Sequence, residues 1–282
     1  MLTVSRQLIH RFAEINSLTM ETAFITGASE GMGYEFARQF ANKGINLILA
    51  ARNEIRLKSI SAEFSRLGVN VLYYARDLSI PDNARFIFED LKAKNISVQY
   101  LVNNAGFGIN GNYTDIEWDR ELEMFNLNML TLAYFTKVFA SEMKAKGFGR
   151  ILNIGSTGSF QPGPFMAGYC ASKAFVLSLS EAVNYELRET DVKVSTLCPG
   201  VTDTKFHAQA QTGNTVMSKF LAHAKPGEVA EYGIKLMLKG KSMGIHGLSN
   251  KMIVSSNRFA CRNMSTAIAG KMLKSEKEIL EG

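Results

Sequence analysis

Short apolar runs alternate with amphipathic stretches through most of this chain, and that alternation leaves few folds open to it. The apolar runs are Thr22–Thr26, Asn46–Ala51, Val69–Ala75, Val98–Val102, Arg150–Gly155 and Val192–Leu197. Between them lie stretches of helical periodicity: Tyr34–Asn42, Glu54–Leu67, Pro81–Lys94, Glu117–Lys146 and Tyr169–Arg188. Strands separated by helices pair in parallel, and a parallel sheet is covered on both faces. The pattern predicts an α/β fold, a doubly wound parallel sheet in a three-layer α/β/α arrangement. Pro81 suits the first turn of its helix, where its missing N–H costs nothing.

With 282 residues, 46% of them hydrophobic and 21% charged, the chain suits one large domain with an ample core. We assign 21–282 to that domain and 1–20 to an N-terminal extension. No apolar run approaches the ~18–20 residues of a membrane span. His10, Arg11 and Glu14 break up any signal-peptide core in the first 19 residues, and Glu14 argues against an acid-poor transit sequence. The three cysteines are widely spaced, and the four histidines never fall at i, i+4, so neither a disulfide framework nor a metal site is expected. A reducing, cytoplasmic setting follows. The net charge of +6 sits entirely in residues 235–282, which hold nine basic and three acidic side chains.

Between the first strand and its helix stands Thr26-Gly27-Ala28-Ser29-Glu30-Gly31-Met32-Gly33. Glycines in a strand-to-helix turn let the backbone approach a pyrophosphate, and the helix N-terminus offers it free N–H groups. This is the signature of a Rossmann dinucleotide site, although tight turns collect glycine for other reasons too. An NAD site places a carboxylate about 20 residues further on, against the ribose 2′-hydroxyl. Here the second strand ends Ala51-Arg52-Asn53, with no acid before Glu54. Arg52 is suited instead to a 2′-phosphate, which favours NADP and leaves NAD as the alternative.

A second constellation follows the fifth strand. Tyr169 and Lys173 are four apart on one helix face, with Ser156 at the strand end before them. A free tyrosine has a pKa of roughly 10, and a neighbouring ammonium is expected to lower it. A phenol so tuned exchanges a proton with a carbonyl or an alcohol. Taken alone, Tyr-x-x-x-Lys is an ordinary half-buried tyrosine beside a solvated lysine.

Together these motifs resemble the short-chain dehydrogenase/reductase family in its short, single-domain form, over residues 21–240 and more loosely beyond. Thr26–Gly33 carries T-G-x-x-x-G-x-G; Asp77-Leu78 follows the third strand and Asn103-Asn104-Ala105-Gly106 the fourth; Asn128, Ser156, Tyr169, Lys173 and Pro199-Gly200 complete the series. The resemblance implies that Tyr169 is the general acid/base and that Lys173 lowers its pKa and bonds the nicotinamide ribose. It implies that Ser156 fixes the carbonyl oxygen and that Asn128 holds a relay water. Thr26, Gly27, Ser29, Gly31 and Gly33 would cradle the cofactor, with Arg52, Asp77, Leu78, Asn104, Ala105 and Gly106 along it. Pro199, Gly200 and Thr204 would meet the carboxamide. Glu30 departs from the pattern, because NADP-preferring relatives often carry a basic residue there.

The expected function is NADP(H)-dependent reduction of a hydrophobic or acyl-type ketone or aldehyde, or oxidation of the matching alcohol. The partner is a small carbonyl or alcohol molecule and not nucleic acid, in a homo-oligomer. A lid is expected at about 204–225, and Phe107, Phe160, Phe165 and Phe206 are candidates to line the substrate pocket. The rival readings are a non-catalytic NAD(P)-binding regulator and a membrane- or carrier-associated reductase module. The second rests on the basic segment, where Met264, Ala267, Ile268 and Met272 form an apolar stripe with Lys271 and Lys274 off it. That stripe is expected to pack on the domain or on a sister subunit; an anionic membrane or acyl carrier is the alternative.

Overall fold

A computed structural model describes residues 21–204, 223–257 and 259–274. The expected N-terminal extension, Phe206 and nearly all of the expected lid lie outside the described residues. β1 (Thr22–Thr26), β2 (Asn46–Ala51), β3 (Val71–Ala75), β4 (Tyr100–Asn103), β5 (Gly149–Ile154), β6 (Val192–Cys198) and β7 (Met243–Ile245) form one sheet in the order β3-β2-β1-β4-β5-β6-β7. Every pairing is parallel.

Side-chain alternation along the strands sorts the core into two layers. Ala23, Ile25, Leu47 and Leu49 face α1 (Gly31–Ala41), α2 (Glu54–Ser65) and α7 (Pro226–Leu238), which contribute Phe36, Phe40, Ile60, Phe64, Val229 and Ile234. Phe24, Ile48 and Leu101 face the other way, toward α3 (Pro81–Ala93), α5 (Leu132–Lys146) and α6 (Ala167–Glu186). There the Phe24 ring meets Phe135 at 5.2 Å and Phe139 at 5.7 Å, both edge-on. Each such ring, fully buried, stabilises the fold by about 1.5–3 kcal/mol.

Three departures from the sequence reading matter for function. The long helix expected over Glu117–Lys146 is three pieces: α4 (Trp118–Phe125), a π-helical segment at Asn126–Thr131, and α5. Such a segment widens the helix and is frequent at functional sites. The chain continues past the sixth strand into α7, β7, α8 (Leu248–Ser256) and α9 (Arg262–Leu273). In α9 the inward face is Ser265, Ala269 and Leu273, while Met264 and Ile268 of the expected packing stripe are half exposed. Ala269 and its neighbour Gly270 are small enough to let α9 close on the chain, and Gly270 lies against Pro164.

β1 pairs on one side with β2 and on the other with β4, so the connections diverge between β1 and β4. A doubly wound sheet opens a crevice there, at the carboxyl ends of its strands.

Candidate active site

The glycine turn after β1 occupies that crevice. Gly27 (φ 65°) and Gly31 (φ 55°) adopt left-handed backbone angles. A Cβ on Gly27 would stand 2.9 Å from Ala105 Cα, and one on Gly33 would stand 2.1 Å from the Gly27 carbonyl oxygen. The turn is tied to the end of β4. Thr26 Oγ1 accepts from the backbone N–H of Asn104 and of Ala105, each at 3.0 Å, and Asn104 Nδ2 donates to Thr26 O at 3.0 Å. Glu30 caps α1 through no side-chain hydrogen bond. The helix N-terminus therefore keeps its dipole and first-turn donors toward the crevice, as an anion site requires.

A cavity of about 720 Å³ runs from this turn across the sheet. At one end it is lined by Ser29, Arg52, Asp77 and Leu78, as expected, and also by Arg56 and Arg76. Arg52 is well exposed, and its guanidinium is 4.0 Å from Asp77, a separation at which an exposed pair contributes little. Glu54, the nearest acid after β2, turns away to Lys58 at 2.8 Å. Arg56 donates to Ser29 O at 3.3 Å and lies over the Tyr34 ring. The sequence reading missed Arg56, which the first turn of α2 brings to the cavity. Glu30 does line the cavity.

Asn104, Ala105 and Gly106 line the middle of the cavity, whereas Asn103 turns into the core. Asn103 Nδ2 donates to Asn153 Oδ1 at 2.8 Å, and Asn153 in turn donates to Ser180 Oγ at 2.9 Å. These buried polar links hold β4, β5 and α6 in register beneath the site. On the far side, Thr204 approaches within 3.1 Å of where a Gly31 Cβ would be, and α8 seats Asn250 directly on Gly200. Pro199, Gly200 and Thr204 all border the cavity.

Ser156, Tyr169 and Lys173 border it together. Ser156 Oγ accepts from Gly158 N at 3.0 Å, and its own N–H donates to Ser159 Oγ at 3.2 Å. Ser159 Oγ also donates to the Lys173 carbonyl at 2.8 Å, which locks the strand end to α6. Lys173 Nζ donates to Ile154 O at 2.8 Å and stands 5.8 Å from the Tyr169 ring centre. Thr26, Gly33 and Asn128 sit behind the wall rather than in it. Asn128, at the π-helical segment, is fully buried, accepting from Phe107 N at 3.2 Å and donating to Phe107 O at 2.9 Å and Ser172 Oγ at 3.1 Å. A Cβ on Gly106 would meet Asn128 Oδ1 at 2.9 Å and Lys173 Nζ at 3.5 Å, so the two groups flank one glycine.

The electrostatics correct one expectation. Burial holds the Tyr169 phenol above its ordinary value, opposed by a hydrogen bond with Ser156, and the lysine does not reverse this. Burial also pushes the Lys173 ammonium down, to about 8. In this cavity the removal of water is the largest influence on each group. Of the phenylalanines, Phe107 lines the cavity. Phe160 packs instead with Leu177, Cys198, Ile245 and Val254, and Phe165, at φ 65°, is not in the wall. One acid escaped the sequence reading: Glu121 on α4 is buried against Gly168, next to Tyr169, and burial raises its pKa.

A parallel doubly wound sheet with a glycine-lined anion cradle at its switch point, and a Ser-Tyr-Lys group on the same cavity, define a dinucleotide-binding fold of the Rossmann class. Residues 21–215 match the short chain dehydrogenase family, and the chain belongs to it. Among its relatives, a very-long-chain 3-oxoacyl-CoA reductase of Mycosarcoma maydis is 32% identical over 179 residues, 62% of this chain and 51% of that protein. The chain thus spans about half the length of that relative. The ketoacyl reductase HetN of Nostoc sp. is 28% identical over 74% of this chain and 70% of its own. A short-chain dehydrogenase from Sphingobium yanoikuyae, solved in complex with NADPH, superposes with a TM-score of 0.75 at 27% identity, covering 85% of this chain and 94% of that one.

Proposed function

We propose that this chain is an NADP(H)-dependent reductase of a hydrophobic or acyl-type ketone, able to run in reverse on the alcohol. The observation that carries this reading is that Ser156, Tyr169 and Lys173 share one cavity with the glycine turn. The residues present fit the cofactor. Gly27 and Gly31 bring bare backbone to the cavity for its pyrophosphate, Gly33 lets the turn close behind them, and Arg52 and Arg56 offer guanidinium groups where a 2′-phosphate would stand. When bound, the nicotinamide supplies the hydride. Tyr169 gives the proton to the carbonyl oxygen, and Ser156 holds that oxygen by a hydrogen bond. Lys173 replenishes the proton and positions the phenol. Asn128 fixes the Phe107 backbone and, through Ser172, the first turn of α6.

The acyl character of the substrate is supported by the 3-oxoacyl-CoA and ketoacyl reductases among the relatives. A homo-oligomer is supported by Trp118, Leu122, Leu130 and Phe175, which expose apolar surface on α4, the π-helical segment and α6. A reducing, cytoplasmic compartment is supported by Cys170, Cys198 and Cys261, all free thiols. No helix among the described residues is long and apolar enough to cross a membrane.

The test is nicotinamide absorbance with NADPH or NADH against hydrophobic ketones and 3-oxoacyl thioesters. NADPH is favoured by about ten- to a hundredfold, the range expected of one hydrogen bond to a charged group. Arg52→Asp reverses that preference, because it removes the guanidinium and installs the acid that a 2′-hydroxyl wants. Equal binding of NADH by the parent would overturn the assignment of Arg52; no turnover with any carbonyl would overturn the reductase reading itself.

A further inference from the structure

The C-terminal helices pack on the loop that carries the site, and they turn an apolar and basic surface outward. The loop between Ser156 and Tyr169 is covered from two sides. α8 reaches it through Val254, which clusters with Phe160, and through a hydrogen bond between Asn257 and Gln161. α9 reaches it through Leu273, which packs with Met166 and Cys170 beside Tyr169, and through Gly270 against Pro164. Asn110 also donates to Leu273 O at 3.4 Å. Both helices are therefore built onto the wall of the candidate active site.

Their other faces have no described partner for their large apolar side chains. Leu248 and Met252 on α8, Phe259 in the link, and Met264 and Ile268 on α9 are between 49% and 92% exposed. Leu248 and Met252 are one turn apart, as are Met264 and Ile268, so each pair forms a stripe along its helix. Isolated exposed apolar residues are unremarkable, but stripes on two consecutive helices are not. Lys251, Arg262 and Lys271 are exposed on the same two helices. No Asp or Glu occurs between Glu231 and Glu276. The described residues of α8 and α9 thus carry basic side chains and no acidic one.

We propose that α8 and α9 dock this protein on an anionic lipid bilayer, with the apolar stripes seated at the headgroup–acyl boundary and the basic side chains on the lipid phosphates. Charge complementarity selects the occupant. A neutral bilayer would leave the lysines without partners, and a purely electrostatic protein partner would leave five large apolar side chains without a place. Interfacial helices bind through buried apolar area together with attraction to anionic lipid. The purpose of the docking rests on the reductase reading: a carbonyl compound dissolved in the membrane would meet the protein beside the cavity that holds Tyr169. The docking itself rests only on the surface.

The test is co-sedimentation of the full chain with vesicles of phosphatidylcholine alone and with about one-third phosphatidylglycerol. Each basic side chain near an anionic surface contributes on the order of fivefold, so binding should rise by about tenfold to a hundredfold on the anionic vesicles. It should fall again in about 0.5 M salt, where screening is short-ranged. Met252→Glu with Ile268→Glu abolishes pelleting while NADPH-dependent reduction of a water-soluble ketone persists, which separates loss of docking from loss of fold. Lys251→Glu with Lys271→Glu, which leaves the apolar stripes in place, weakens pelleting on anionic vesicles alone. Failure to pellet with anionic vesicles overturns the proposal, as does equal pelleting on both compositions. Binding to an acidic acyl-carrier protein without binding to vesicles overturns it in favour of a carrier. Absence of reductase activity alongside normal pelleting overturns the functional reading and leaves the docking standing.

Discussion

Tyr169→Phe lowers kcat/KM by about 10²–10⁴, the usual loss when a general acid is removed, and leaves cofactor affinity and thermal stability nearly unchanged. The substitution is clean because the Tyr169 ring packs against the cluster of Met166, Cys170 and Leu273, and phenylalanine keeps that ring. What is removed is the hydroxyl and its hydrogen bond with Ser156. Burial raises the phenol's pKa in the free site, so the parent holds the proton at neutral pH, as reduction of a carbonyl requires. The readout is steady-state turnover with the best ketone found, together with NADPH titration. Turnover within about threefold of the parent would remove Tyr169 from the mechanism, since general acid catalysis contributes at least about a hundredfold.

How much of this was readable beforehand depends on the range of each signal. The sheet was legible because buried parallel strands and the helices between them announce themselves by local periodicity. The site was legible because its groups recur within short windows: three glycines in one turn, Tyr169 and Lys173 on one helix face. β7 was missed because three residues, Met243–Ile245, carry no period. The packing of α9 was read one residue out of phase. Hydrophobicity favoured Met264 and Ile268, but the helix approaches the loop through Ser265, Ala269 and Leu273, where small side chains allow contact. Arg76, Ser159, Ser172 and Asn250 reach the site from four separate segments, and only the fold brings those together. The Tyr169 pKa was misjudged in direction because neighbour spacing is visible in a sequence and desolvation is not. Proximity to an ammonium lowers a phenol's pKa only where burial does not cost the phenolate more.

The same desolvation makes Lys173 the second strong test. Its ammonium is 5% exposed and is pushed from 10.5 to about 8. Between about 8 and 10.5 the unfolded chain binds a proton that the native lysine has released, so stability rises with pH across that window. Below about 8 the penalty for burying the ammonium is present in full. A shift of this size corresponds to about 3 kcal/mol at roughly 1.4 kcal/mol per unit. Lys173→Met fills a similar volume without the charge, but it strands the Ile154 carbonyl that Nζ now satisfies at 2.8 Å. Leaving that acceptor buried and unpaired costs about 1–3 kcal/mol, so the variant gains at most roughly 2 kcal/mol at pH 7. Its Tm in the absence of cofactor should rise by no more than about 4–8 °C, and the advantage should fade as pH climbs from about 8 to 10.5. Activity moves the other way, down by about a hundredfold or more, because the phenol loses the group that positions it and supplies its proton. A variant less stable than the parent at pH 7, or an advantage that grows with pH, would show that the buried ammonium carries no such penalty. A more stable and less active variant would mean that the fold tolerates a desolvated cation beside Tyr169 for the sake of proton transfer, the trade expected where a site is built for chemistry and not for stability.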